Sequence, residues 1–154
     1  MREYRYRVDG EGRIFHDGSE VLDPPTLRFF LRAMTLTPEG RWLVLCQGER
    51  NWFDCERTPF VVQRVRPVLR EGAPDGLELV LAGDHREPLD SATLESEDGR
   101  LCCRVRRGAF PARFGRLALQ QLGAFLQDEG GRPVLVLSGR RHPIPERERT
   151  PELT

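Results

Sequence analysis

The groups that could do chemistry are densest in Leu43–Val62, LVLCQGERNWFDCERTPFVV. Glu49 and Asp54 are a possible acid–base pair, provided both lie in one loop, face each other and one is desolvated. Ion pairs with Arg50 and Arg57 are the plainer account of the same carboxylates. Cys55 is a possible nucleophile, but a reactive thiol needs a lowered pKa and a base beside it. Its neighbours Asp54 and Glu56 act in the opposite direction, with Arg57 and Arg50 available to offset them. No catalytic residue is assigned. The binding candidates are Glu49, Arg50, Asn51, Trp52, Asp54, Cys55 and Arg57. Trp52 and Phe53 either close over the core, as aromatics usually do, or form a binding surface.

Other chemistries find less support. His16, His85, His142 and the 4 cysteines are spread singly, with no CxxC and no HxxxH, so no metal and no cofactor are expected. Cys102 and Cys103 fall on one strand and point to opposite faces, which suits a core thiol and a surface thiol. There is no lysine, which removes lysine Schiff bases, a lysine general base and the phosphate-loop lysine. The 24 basic residues balance 24 acidic ones, so no bulk field draws nucleic acid or anionic lipid. Arg64, Arg66, Arg104, Arg106 and Arg107 could line a basic sheet face for RNA or another polyanion. The aromatic motifs of RNA-recognition domains are absent, and a solvated strand face is the plainer account.

These residues need a frame. A length of 154 residues suggests one domain over 1–145, followed by a charged, flexible tail over 146–154. Glu3 to Val8 alternates as a strand with one wet side, and Asp9-Gly10-Glu11-Gly12 turns it into a hairpin with Ile14 and Phe15. Asp23 before Pro24-Pro25 is an N-cap signal for a helix with Leu27, Phe30, Leu31 and Met34 inward, ending near Thr37-Pro38. Leu43 to Val62 reads as strand, loop over Gly48 to Arg57, strand. Pro67 implies an edge or a bulge in the strand that runs on to about Leu69. Glu71 to Gly76 reads as a loop before a strand over Leu77 to Leu81. Ala92 to Arg106 reads as a hairpin. Pro111 opens a second helix of about three turns by its helical periodicity, stopped by Gly130-Gly131. Its charges run against the helix dipole, with Arg113 and Arg116 early and Asp128 and Glu129 late. Arg132 to Leu137 is the last strand. The fold class is therefore α+β: mostly antiparallel hairpins with two packed helices.

Three segments share a form: LVLCQGERNWFD at 43–54, LVLAGDHREPLD at 79–90 and LVLSGRRHPIP at 135–145. Each reads as strand, glycine turn, strand, either as a repeated unit or as a chance likeness among Leu/Val strands. Stacked repeats would bring His85 and His142 near each other.

MREYRYRVDGEGRIF and GERNWFDCERTPFVV resemble the family called domain of unknown function 4505, also labelled UPF 0598. Glu49, Arg50, Asn51, Trp52, Cys55, Pro59 and Val61 carry its central motif, with Trp52 standing where the family shows Phe. The resemblance implies bacterial cytoplasmic and eukaryotic members and no established activity. Asp54 to Phe60 also resembles domain of unknown function 1285, which implies an antiparallel sheet with repeated motifs and a suggested part in signalling.

The leading expectation is a non-enzymatic binding, interaction or signalling module using the 48–57 loop, with Trp52 as anchor. A small-molecule enzyme or ligand sensor using Glu49, Asp54 or Cys55 is the alternative, and a weak polyanion binder is the third. The partner is expected to be a protein or small molecule, with no membrane role and with nucleic acid disfavoured, though retained as the polyanion of the third reading. The N-terminus lacks the apolar stretch of a signal peptide, and no run reaches the ~20 apolar residues of a membrane span, so a cytoplasmic site with reduced thiols is expected.

Overall fold

The computed structural model describes residues 2–147. Strands β1 (Glu3–Val8), β2 (Ile14–His16) and β3 (Ser19–Glu20) lead into helix α1 (Pro24–Ala33). Strands β4 (Thr35–Leu36), β5 (Trp42–Cys46), β6 (Glu49–Asp54), β7 (Val61–Val62) and β8 (Arg64–Arg70) follow. Next come β9 (Ala73–Leu81), β10 (His85–Pro88), β11 (Glu95–Glu97), β12 (Arg100–Val105) and β13 (Phe110–Phe114). Helix α2 (Arg116–Gly123), β14 (Leu126–Glu129), β15 (Arg132–Leu137), β16 (Arg140–Pro143) and β17 (Glu146–Arg147) are the remaining elements of the described residues. The expected α+β class stands: two helices and mostly antiparallel sheets.

The first sheet has 6 strands in the order β3-β2-β1-β6-β5-β4. Its centre is a parallel pair, β1 with β6, in which Arg5 lies opposite Trp52 and Arg7 opposite Asp54. Helix α1 covers one face. Its Phe30 meets Phe53 edge-on at 5.1 Å, and Tyr6 stacks on Phe53 at 4.9 Å. The Asp23 cap is present: its carboxylate accepts from the Thr26 backbone N–H at 3.1 Å and from the Thr26 hydroxyl. The helix ends at Ala33, sooner than Thr37-Pro38, because Thr35 and Leu36 pair with Leu43 and Trp42 instead.

The remaining strands form sheets of order β10-β9-β8, β17-β11-β12-β13-β7 and β14-β15-β16. One continuous buried cluster links all of them, from Val8 and Ile14 through Phe60 and Leu79 to Leu135 and Ile144. Pro67 sits on the edge strand β8, next to a register shift at Val68/Leu69, so edge and bulge both occur. The expected loop over Glu71 to Gly76 is a tight turn at Glu71-Gly72, and β9 starts at Ala73.

All three Leu-Val-Leu segments are strand–turn–strand hairpins. Gln47-Gly48 and Ser138-Gly139 are two-residue turns with positive φ at both positions, the geometry that matches strand twist. The middle segment turns through Ala82–Asp84, and Gly83 there has φ 71°. A Cβ at Gly83 would lie 2.7 Å from the Pro24 carbonyl oxygen, so only glycine lets this turn seat on α1.

The second helix departs from expectation. Residues 110–114 are strand, not helix, because Cys103 and Cys102 of β12 pair with Ala112 and Arg113. The 126–129 segment is strand too, and Gly130-Gly131 is a hairpin turn between β14 and β15. Eight residues of helix remain, with Ala118 and Leu122 inward and Leu117 46% exposed. Its unfavourable charges meet an outside remedy. The carboxylate of Glu11, in the first hairpin, accepts from the Arg116 backbone N–H at 2.9 Å. Gly115, the N-cap, leaves room for that carboxylate: a Cβ there would lie 2.9 Å from Glu11 Oε2.

Glu146 and Arg147, assigned to the tail, pair in parallel with Ser96 and Glu97. The rest of that tail, 148–154, lies outside the described residues. Among the described residues, no helix is long and apolar enough to cross a membrane.

Candidate functional site

Residues 48–57 are not a loop. Glu49 to Asp54 form β6, a strand flanked on both sides, by β5 antiparallel and β1 parallel. The segment is polar, but backbone pairing on two sides satisfies its N–H and C=O groups and holds it extended. Alternation then divides the seven candidates. Glu49 and Asn51 share the α1 side with Phe53; Arg50, Trp52 and Asp54 share the other.

The α1 side is structural. Asn51 is only 5% exposed, and its Nδ2 donates to the Val44 carbonyl at 3.1 Å, directly across the β5–β6 ladder. Glu49 lies at the rim of a groove of about 450 Å³ under α1, beside Tyr6, Phe29 and Cys46.

The other side is open. Trp52 lies mid-sheet, between Arg5 and Leu43. The Arg41 guanidinium stacks over its ring at 3.8 Å from the centroid, a cation–π contact worth about 0.5–1 kcal/mol where exposed. Arg50 reaches Glu3 at 3.5 Å. Leu45, opposite Arg50, is 60% exposed. A depression of about 310 Å³ collects Arg41, Trp52, Asp54, Cys55 and Arg57. Four of the seven candidates therefore meet in one place.

Their geometry speaks against the two chemistries considered for the alternative reading. Glu49 and Asp54 lie on opposite faces of one strand, so they cannot share a proton or a substrate. Burial pushes the Cys55 thiol up to about 11; Arg113 pulls it down and Asp54 pushes it further. The offsetting arginine is Arg113, and not Arg50 or Arg57 as the sequence suggested. Arg57, with φ 69°, borders that depression and also pairs with Glu97 at 3.8 Å.

That contact leads to a second concavity, of about 440 Å³, between β11, β12 and the 56–58 segment. Strand pairing gathers there what sequence spacing could not show. Ligand atoms of Glu95, Glu97 and Cys102 lie within 4.8 Å of one another. Among the described residues this is the one such group that could offer three metal ligands. Its carboxylates are already engaged: Arg147 lies 3.3 Å from Glu95, and Arg57 holds Glu97. Burial, with Glu95 and Glu97 adding to it, pushes the Cys102 thiol up to about 11. A cation would have to displace two guanidinium groups and a proton. Cys103 points the other way into the core, and burial pushes it up to about 12. His85 and His142 take no part: His85 pairs with Glu87 at 3.0 Å, and His142 faces the Ser91 hydroxyl at 3.4 Å.

The five arginines grouped from sequence do not share one face. Arg64 and Arg66 lie on β8, in a different sheet from Arg104 and its neighbours. Arg104, Arg106 and Arg107 instead border a cavity with Arg32.

Fold and site together define an α+β protein with an open face on its six-stranded sheet and several surface concavities. Its fold is similar to that of a DUF1285 family protein from Silicibacter pomeroyi DSS-3, with TM-score 0.63 and 17% identity over 92% of this chain and 81% of that one. A DUF1285 family protein from Shewanella baltica OS155 is also similar, with TM-score 0.54 and 12% identity over 72% of this chain and 84% of that one. No family model matches the chain, and no curated protein matches it. The likeness is one of fold. It falls on the second of the two families suggested by sequence motifs, and domain of unknown function 4505 is not shown.

Proposed function

We propose that the protein is a non-enzymatic interaction or signalling module, and that its docking surface is the open face of the six-stranded sheet centred on Trp52. The observation that carries this reading is Trp52 itself. It lies on the face away from α1, half-buried under Arg41, with Arg5, Leu43, Leu45 and Arg50 around it. Exposed Trp and Arg together are the residue types that dominate interface energetics. Arg5, Arg7, Arg41 and Arg50 outnumber Glu3 and Asp54 here. That balance fits a protein partner presenting an acidic, partly apolar segment.

The alternative of an enzyme built on Glu49, Asp54 or Cys55 has no assembled site to support it. Kinship with domain of unknown function 4505, carried by the motif through Val61, would assign no activity to either face. The four free thiols fit a reducing compartment such as the cytoplasm.

A photo-crosslinking residue placed at Leu45 tests the proposal in the native cell, with one at Leu69, also exposed, as reference. The expected result is one discrete partner captured from position 45, not from 69, and lost with Trp52→Ala or Arg50→Ala. The purified partner must then bind the purified chain with the same dependence. Equal capture from both positions, or capture indifferent to Trp52, overturns the reading.

A further inference from the structure

The largest of these concavities, about 810 Å³, lies away from Trp52, between the end of α1, strand β10 and the β12–β13 turn. Arg32, Arg104, Arg106 and Arg107 line it, against Glu87 and Asp90. What matters is which of these charges is already engaged.

Arg106 serves the fold. Its guanidinium donates to the Met34 carbonyl at 2.5 Å and to the Leu31 carbonyl at 3.4 Å, satisfying acceptors that the end of α1 leaves over. It also lies 4.8 Å over the Phe110 ring. Arg104 braces the turn, donating to the Gly108 carbonyl at 2.7 Å and the Ala109 carbonyl at 3.1 Å. Both carboxylates are engaged as well. Glu87 accepts from the Arg106 backbone N–H at 3.0 Å and pairs with His85. Asp90 caps the following 3-10 turn through the Ala92 N–H at 3.1 Å. Arg32 and Arg107 remain. Both are exposed and, among the described residues, neither is in an ion pair.

The scaffold holds these two in place. Arg106, Arg107 and Gly108 all have positive φ, at 52°, 57° and 79°. Two consecutive arginines in the left-handed region are unfavourable unless surrounding contacts fix them, and the Arg104 and Arg106 hydrogen bonds do so. Arg107 is thus carried on a braced turn, and Arg32 on the last turn of a helix.

We propose that this cavity is a binding site for a small molecule with a compact dianionic head group, held between Arg32 and Arg107. Two unpaired guanidinium forks match two negative charges, and their planar donors suit phosphoryl and dicarboxylate groups alike. The volume falls in the range of small-molecule sites and exceeds that of the head group, leaving room for an organic body against Pro88 and the Arg104 stem.

Titration of the full chain with inorganic phosphate and, separately, with succinate tests this, read by backbone amide NMR at low ionic strength. The expected result is saturable shifts confined to the end of α1 around Arg32 and to residues 85–90 and 104–108, with at least one of the two anions. The anion that saturates names the head group. Arg32→Gln with Arg107→Gln should weaken the response about tenfold or more. Arg70→Gln, an exposed arginine at the end of β8, should leave it unchanged. Both substituted arginines are exposed, so the fold is retained and the amide spectrum verifies it. No saturable response to either anion overturns the proposal. So does a response equally weakened by Arg70→Gln, which would reveal general charge attraction. Tighter binding of a single-stranded oligouridylate that is independent of Arg32 and Arg107 also overturns it.

Discussion

The two faces of β6 come from one run of six residues and do opposite work. Asn51 and Phe53 face α1 and are buried; Arg50, Trp52 and Asp54 face away and are half-buried or exposed. On the inner face each side chain is fixed by neighbours: Phe53 by Tyr6 and Phe30, Asn51 by the Val44 carbonyl. On the outer face the aromatic ring is covered only by a guanidinium group. Aromatic character alone therefore does not distinguish anchor from core. Parity along the strand does, and parity depends on which side the helix packs.

The contrast can be broken by substitution. Phe53→Ala should cost most, about 3–5 kcal/mol of stability, measured by chemical denaturation. A loss below about 1 kcal/mol would mean that the two faces do not differ in packing. Asn51→Ala should cost about 0.5–1.5 kcal/mol, since it removes a buried side-chain hydrogen bond to the Val44 carbonyl. Cys55 sharpens the comparison at the strand's end, because its thiol is raised by burial from 9.0 to about 11. The unfolded thiol ionises near its ordinary value while the folded one stays neutral. Its contribution is thus fully present below pH 9.0 and is lost as pH rises towards about 11. Stability measured over that interval should fall, and Cys55→Ala should fall less steeply. Trp52→Ala should change stability least, by about 1 kcal/mol or less, while removing partner capture.

The parts legible in sequence are those whose signals are local. The first hairpin was readable because Asp9 accepts from the Glu11 and Arg13 backbone N–H groups, a turn encoded within five residues. Burial alone would raise the Asp9 carboxyl, but hydrogen bonds from Arg13 and Glu11 outweigh it and hold it below its ordinary value. The start of α1 was readable from Asp23 and its prolines, and the turns after the three Leu-Val-Leu strands from their glycines. What failed depends on distant partners. Strand β6 has no hydrophobic alternation strong enough to show itself; β1, over forty residues away, makes it a central strand. Residues 110–114 carry a helical pattern, yet β12 claims them, and β7 completes the other side. The site was half visible. Trp52, Asp54, Cys55 and Arg57 do converge, but their separation from Glu49 and Asn51 needed strand parity. The Glu95–Glu97–Cys102 cluster left no motif because it depends on the β11–β12 register, and the Arg32–Arg107 cavity because it joins elements from different parts of the chain.

The contact between Glu11 and the start of α2 bears on the order in which the chain assembles. Its partners are 105 residues apart, so a large loop must close before it forms. Helix α2 is eight residues long and has no cap of its own, and such a segment is scarcely populated in isolation. Folding kinetics should therefore show Glu11→Gln leaving the refolding rate nearly unchanged while accelerating unfolding, with a φ-value near zero. During synthesis from the ribosome, the β1–β2 hairpin emerges first and waits for a helix made 105 residues later. The turn that carries Glu11 acts as a latch on the start of α2.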